Sequence, residues 1–302
     1  MMFTGTGVAI ITPFDQNHNV DKAALKRIVN HLIKGRVEYI VAMGTTGESA
    51  TLSEKEQEVC IDLISETIGG RIPMVIGVGG NDTRKVAKRA SYISKMYKPK
   101  GLLSVCPYYN KPSQKGLYHH FQAIAQSTDT PIILYNVPGR TSSNILPDTA
   151  VQLAQDFPNI VAIKEASGNI EQGMDIIAKK PKDFQVLSGE DALTLSMIAV
   201  GYEGVISVTA NALPFYFSEM VRLALKGRIE EARMLHYQIW GCMKLNFKEG
   251  NPSGIKTMME ALALCERTTR LPVFPGSNSL MEEIKKELAS IRSNSSYSVN
   301  MS

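Results

Sequence analysis

Eight short apolar runs, rich in β-branched residues, recur through the first two-thirds of the chain, and a segment of helical period separates each from the next. They begin near Gly7 (GVAIITP), Tyr39 (YIVAMG), Pro73 (PMVIGVGG), Gly101 (GLLSVCPYY), Pro131 (PIILYNVP), Ile160 (IVAIKEAS), Phe184 (FQVLSGED) and Gly204 (GVISVTAN). Continuous apolar runs of this length are what strands covered on both faces look like. The intervening text, such as DKAALKRIVNHLIKG, SEKEQEVCIDLISETIGG, DTRKVAKRASYISKMY and PDTAVQLAQDF, keeps polar residues on one helical face. Asp21 precedes KAAL as a cap, Ser53 and Glu56 have capping-box spacing, and Gly69 and Gly70 sit where a helix should stop. An open doubly wound sheet shares this local pattern. Eight strands alternating with helices over about 210 residues favour the α/β class with a (β/α)8 TIM barrel.

After Asn211 the strands end and the sequence turns helical: PFYFSEMVRLALKG, IEEARMLHYQIWGCMKLNF, SGIKTMMEALAL and SNSLMEEIKKELASI. The expected organisation is a catalytic barrel over residues 1–212, a helical appendage over 213–292 enclosing Trp240, and a disordered tail over 293–302, where the text SNSSYSVNMS is small and polar. No repeat beyond the βα unit is evident, and no Pro-, Gly- or Ser-rich linker divides the chain.

Composition excludes several classes. The net charge of +4 is spread along the chain without a basic run or a basic strip interleaved with aromatics, which argues against nucleic acid as a partner. The start, MMFTGTGVAIITPFD, has no basic n-region, and its apolar run stops at Pro13; neither a signal peptide nor a membrane anchor is expected, and a cytoplasmic location follows. Cys60, Cys106, Cys242 and Cys265 are scattered with no CxxC pair and read as reduced, buried thiols. The histidines, His18, His31, His119, His120 and His236, show no metal-ligand spacing and read as structural or solvent-facing, so no metal site is expected. GVGGND lacks the third glycine of a dinucleotide fingerprint, which argues against nicotinamide binding.

In a TIM barrel, chemistry resides at the C-terminal ends of the strands. Those ends read GTTGES, GVGGND, PYYN, YNVPGRT, KEAS, SGED and TAN from the second strand to the eighth. Lys164 closes the sixth. It could snorkel outward and pair with Glu165. The alternative is an amine in the barrel mouth, made nucleophilic by desolvation and able to form a Schiff base with a carbonyl. An imine mechanism needs proton shuttles, and hydroxyls at Tyr135, Thr45, Thr46, Tyr108 and Tyr109 end adjacent strands. The small residues of GTTGE let backbone N–H groups and hydroxyls approach a carboxylate, and Arg140 can grip a second one in bidentate fashion. Singly, each has a structural explanation: packing aromatics, turn threonines, a surface arginine. Their joint placement favours the imine.

The stretches GTTGESATL, PYYNKPSQKGLYHHF, ILYNVPGRT, IVAIKEASG and GVISVTAN, in order and spacing from Phe3 to about Ile291, resemble the pyruvate-dependent class I aldolase family, also called the N-acetylneuraminate lyase family. The resemblance implies a barrel with a C-terminal helical domain, assembled as a homotetramer that is a dimer of dimers. Its nearest branch condenses pyruvate with L-aspartate 4-semialdehyde, the first committed step of diaminopimelate and lysine biosynthesis, with no cofactor. It implies that Lys164 forms the Schiff base and that Tyr135 is the general acid/base. Thr45 and Tyr109 would complete the relay, Tyr109 from a neighbouring subunit. Thr46, Gly189 and the main chain at Ile206 would bind substrate, and Arg140 the carboxylate of the semialdehyde.

In lysine-regulated members of that family the effector sits on positions matching Ser49, Ala50, Asn81 and Tyr108 plus two histidines and a glutamate. The last three correspond here to Glu54, Gln57 and Lys85, which place a cation where an ammonium should sit, and insensitivity to lysine is expected. Two rivals stand beside this reading. One is another aldolase on the same scaffold, acting on N-acetylneuraminate or a keto-deoxy sugar. The other is a non-catalytic barrel that senses a keto acid.

Overall fold

The computed structural model describes residues 2–293. Its strands are β1 (Gly5–Ala9), β2 (Tyr39–Ala42), β3 (Met74–Gly77), β4 (Gly101–Val105), β5 (Ile132–Asn136), β6 (Ile160–Glu165), β7 (Gln185–Ser188) and β8 (Gly204–Ser207). They pair in parallel in chain order, and β8 returns to β1, so the sheet is a closed barrel and not an open one. Closure explains the unbroken apolar runs. One set of alternate residues, including Val41, Val75, Leu103, Ile133, Ala162, Leu187 and Ile206, fills the barrel, while Ile40, Ile76, Leu102, Leu134, Ile163 and Val205 face the helices. Both faces of every strand are dry, which masks the two-residue period. Each such aliphatic side chain contributes about 1.5–3 kcal/mol on burial. The floor of the barrel is plugged by Phe3 and Tyr39, whose rings lie 5.6 Å apart. A Cβ on Gly7 would stand 2.1 Å from the Tyr39 ring, so the large plug requires a glycine in the facing strand.

Helices Lys22–Lys34, Glu54–Ile68, Thr83–Tyr97, Gln114–Ala125, Pro147–Asp156, Ile170–Lys179 and Thr194–Ala199 follow the first seven strands. Asp21 accepts from the Ala24 N–H, and Ser53 with Glu56 forms the reciprocal capping box. Pro214–Leu225 packs on β1 and the helix 22–34, and Arg222 pairs with Glu38 at 2.9 Å; this helix completes the outer ring. The later helices are Ile229–Gln238, Trp240–Lys248, Ser253–Ala261 and Asn278–Ser293. The segment read as one helix from Ile229 onward is broken at Ile239, which leaves helical geometry (φ −107°, ψ 7°) while staying fully buried. Trp240 is half-buried, against the rings of His236 and Tyr237. Of the tail expected over 293–302, Ser293 ends the last helix, and the remainder lies outside the described residues.

All four cysteines are free and buried, and burial pushes each thiol up to about 12. His120 is buried and hydrogen-bonded to the Thr83 hydroxyl at 2.9 Å, while His119 is exposed. Among the described residues no helix is long and apolar enough to cross a membrane, and no cluster of three potential metal ligands occurs.

Candidate active site

The site is built where β5 meets β6. Their ladder begins with Ile132 opposite Ile160, but Ile133 is opposite Ala162, so Val161 is an extra residue in β6. Such a bulge re-aims everything after it. From there Tyr135 faces Lys164 and Asn136 faces Glu165. The first pair points into the mouth of the barrel, the second into the layer between sheet and helices.

Lys164 is 5% exposed, and its Nζ lies 4.3 Å from the centroid of the Tyr135 ring. A cation over a tyrosine face gains roughly 0.5–2 kcal/mol. No described carboxylate lies within ion-pair distance of the amine, and Glu165, its neighbour in sequence, is turned away from it. The fully buried Glu165 carboxylate accepts from Asn136 Nδ2 at 2.9 Å, Gln172 Nε2 at 3.0 Å and the Ser167 N–H at 2.7 Å. Asn136 Nδ2 also donates to Asn144 Oδ1, and Asn136 Oδ1 accepts from the Ile145 N–H, which extends the network. A buried carboxylate is tolerated when such donors satisfy it. This one ties β5 to β6 at the rung directly behind the lysine.

Gly189, at the end of β7, makes the room for that lysine. A Cβ there would stand 2.4 Å from Ala166 Cβ and 3.0 Å from Lys164 Cε. The next residues are acidic. Burial, reinforced by Asp191, raises the pKa of Glu190, and the charges of Lys164 and Arg140 partly offset this, which sets Glu190 within their field. Asp191 is fully enclosed, and burial raises it too. Its Oδ2 accepts from the Val208 and Thr209 N–H groups at 3.1 and 2.6 Å, fixing the chain just past Ile206, itself enclosed on β8.

The loop after β2 brings Thr45 and Thr46 to the same rim. Thr46 is buried, its hydroxyl accepting from Asn251 Nδ2 at 3.0 Å, whereas Thr45 is exposed. The loop ends at Glu48 in the left-handed region (φ 51°). The Glu48 carboxylate is paired with Lys256, which is fully enclosed, and accepts from the Arg270 N–H at 3.1 Å. Arg140, on the short helix Pro138–Thr141, is exposed, and its guanidinium reaches the Asn251 carbonyl at 3.5 Å.

One protomer therefore sets Tyr135 and Gly189 against Lys164, with Ile206 in the same inner cluster as Tyr135 and Thr46 on a loop at the same rim. It does not bring Tyr109 in: that residue is 89% exposed, at φ 75°, and projects away beside the 43%-exposed Tyr108. The expected effector positions share the surface next to these tyrosines. Ser49 and Ala50 form a short 3-10 turn, and Glu54 opens the next helix, exposed. The Gln57 amide donates to the carbonyls of Ser49 and Leu52 and accepts from Arg89. Asn81 donates to the Tyr108 carbonyl, and the Lys85 side chain is 86% exposed.

Asn251, Glu190, Glu48, Lys256 and Arg270 were not singled out by sequence. Glu48 was visible as the last letter of GTTGE, but the residues that meet it lie more than 200 positions away, and no local pattern announces them.

The sequence pattern of the dihydrodipicolinate synthetase family matches residues 2–291. The 4-hydroxy-tetrahydrodipicolinate synthase of Flavobacterium psychrophilum is 50% identical over 282 residues, 93% of this chain and 96% of that one. That of Azobacteroides pseudotrichonymphae is 47% identical over 292 residues, 97% and 98% of the two chains. The crystal structure of dihydrodipicolinate synthase from Aquifex aeolicus superposes with a TM-score of 0.92 at 39% identity, covering 96% of this chain and 98% of that one.

Proposed function

The chain belongs to the dihydrodipicolinate synthetase family, and we propose that the barrel mouth around Lys164 is where its reaction takes place. That reaction is the condensation of pyruvate with L-aspartate 4-semialdehyde to 4-hydroxy-tetrahydrodipicolinate, in diaminopimelate and lysine biosynthesis. The Lys164 amine adds to the pyruvate carbonyl carbon, and the carbinolamine loses water to give an iminium. The iminium acts as an electron sink, so the pyruvate methyl carbon loses a proton and becomes an enamine. That carbon bonds to the aldehyde carbon of the semialdehyde, whose oxygen takes a proton and remains as the hydroxyl. The substrate amine then attacks the iminium carbon, expels Lys164 and closes the ring.

Tyr135 carries the protons, relayed by Thr45 and by Tyr109 from a neighbouring protomer. Thr46, Gly189 and the main chain at Ile206 hold the bound pyruvate, and Arg140 holds the carboxylate of the semialdehyde. The exposure of Tyr109 supports its use by a second copy, within a homotetramer built as a dimer of dimers; the proposed location is the cytoplasm. The degenerate effector surface at Ser49, Ala50, Glu54, Gln57, Asn81, Lys85 and Tyr108 makes the enzyme insensitive to lysine. With Pro214–Leu225 completing the outer ring, the barrel and the helical module divide after that helix, before Ile229, and not at residue 212.

The observation that carries the assignment is a buried lysine with no carboxylate partner, directly across one rung from a tyrosine at the C-terminal rim. Its test is borohydride reduction in the presence of pyruvate followed by peptide mass spectrometry. A reduced pyruvyl adduct on Lys164 is expected; an unmodified Lys164 in folded, active protein would refute it.

A further inference from the structure

Behind the β2 loop lies a set of charges that the reaction does not use. Lys256, on the helix Ser253–Ala261, is fully enclosed. Its ammonium pairs with Glu48, donates to the Thr268 carbonyl at 2.8 Å and lies 4.1 Å from the centroid of the Phe14 ring. The Arg270 guanidinium lies over the same ring at 4.5 Å, donates to the Thr51 carbonyl at 2.8 Å and pairs with Glu56 at 2.5 Å. Lysine and glutamate are rarely fully buried, and an apolar pair of similar volume generally stabilises a fold as well or better. Stability alone is thus a poor reason for this pair. Fixing one geometry is the better-attested use of buried ions.

The backbone shows what is being fixed. Met43 and Glu48, at φ 58° and 51°, bracket the turn that carries Thr45 and Thr46. Both are side-chain-bearing residues in a region that glycine favours, a conformation that persists only where the surroundings enforce it. The Glu48 N–H closes the turn on the Thr45 carbonyl at 3.0 Å, and Thr12 holds the Gly47 carbonyl at 2.7 Å. Asn251 grips the Thr46 hydroxyl and Lys256 grips Glu48, five residues apart in the helical module and two apart in the loop. Burial holds the pKa of Lys256 below its ordinary value, and the Glu48 carboxylate offsets part of that shift.

We propose that Lys256 is a positioning residue: through Glu48 it clamps the β2 turn from the helical module and so aims Thr45 and Thr46 at the imine. This rests on the reading of Thr45 as relay and Thr46 as pyruvate-binding group. The double variant Lys256→Met/Glu48→Gln removes both charges and leaves neither ion buried alone. It is expected to keep borohydride-trappable Lys164, to lose about 10- to 100-fold in kcat/KM for pyruvate, and to keep KM for the semialdehyde within about twofold, the scale of an ångström-sized misplacement. Glu48→Asp keeps both charges but shortens the clamp; it is expected to lose at least about tenfold in the same parameter. A role in folding alone would lower the melting temperature and leave kcat/KM per folded molecule unchanged. Unchanged kcat/KM for pyruvate in either folded variant would overturn the clamp. Failure to trap pyruvate in the wild type would instead overturn the site assignment.

Discussion

Replacing Gly189 with alanine tests whether the lysine's position is set by the space beside it. The added methyl would sit 2.4 Å from Ala166 Cβ and 3.0 Å from Lys164 Cε, where ordinary contact is 3.4–4 Å. Relief requires a shift of about 1 Å, shared between the end of β7, Ala166 and the lysine stem. Overpacking of this kind costs about 1–3 kcal/mol. With an unfolding entropy of about 2.1 cal/mol/K per residue, the chain should melt about 2–5 °C lower. The kinetic effect should be larger, since an ångström of misplacement at a reacting group costs about 100-fold. Adding Ala166→Gly removes the 2.4 Å contact but leaves those to Lys164 Cε at 3.0 Å and to the Cα of position 166 at 3.1 Å. The double variant should therefore recover part of the melting temperature while kcat stays low. Calorimetry and initial rates with pyruvate and the semialdehyde read both quantities. A Gly189→Ala enzyme with wild-type kcat and melting temperature would refute the packing argument.

Two further outcomes follow from other parts of the molecule. Burial lowers the pKa of His120 to about 4, against 6.5 in an unfolded chain. The neutral ring therefore stabilises the fold fully above pH 6.5, and that contribution, about 3 kcal/mol, is lost as the pH falls from 6.5 through 4. His120→Gln should lack this slope, so urea midpoints of the two proteins measured across that window should converge; parallel curves would show that His120 does not titrate there. Submillimolar lysine should leave initial rates unchanged, because two positions expected to contact the effector carry an exposed ammonium, Lys85, and an amide already committed elsewhere, Gln57; strong inhibition would sink this expectation.

The barrel was legible because strand, helix and cap signals agreed locally, and the rim residues followed from the rule that a barrel's chemistry lies at its strand ends. Which way Lys164 points was not legible from alternation. Counting outward and inward residues from Ile160, which faces the helices, puts Lys164 on the outer face, and only the extra residue Val161 corrects the count. A bulge leaves no mark in composition. The pairing of Lys164 with Glu165, plausible from their adjacency, fails for the simple reason that neighbours on a strand face opposite sides. The Glu48, Lys256 and Arg270 seam was hidden by sequence distance, and its lysine looked like any polar position on a helix. Tyr109, expected at the rim from its place after the fourth strand, is 89% exposed in a single protomer, and its surroundings there do not display the relay proposed for it.

The four enclosed cysteines make the chain nearly inert to thiol reagents. With each thiol pushed up to about 12, only about one in 100,000 is ionised at pH 7, and the thiolate is the species that reacts. A single cysteine introduced at Tyr109 would thus be the one addressable atom in an otherwise silent background, with no native thiol to remove first. A fluorophore attached there would report directly whether that position lies in water or against a second protein surface.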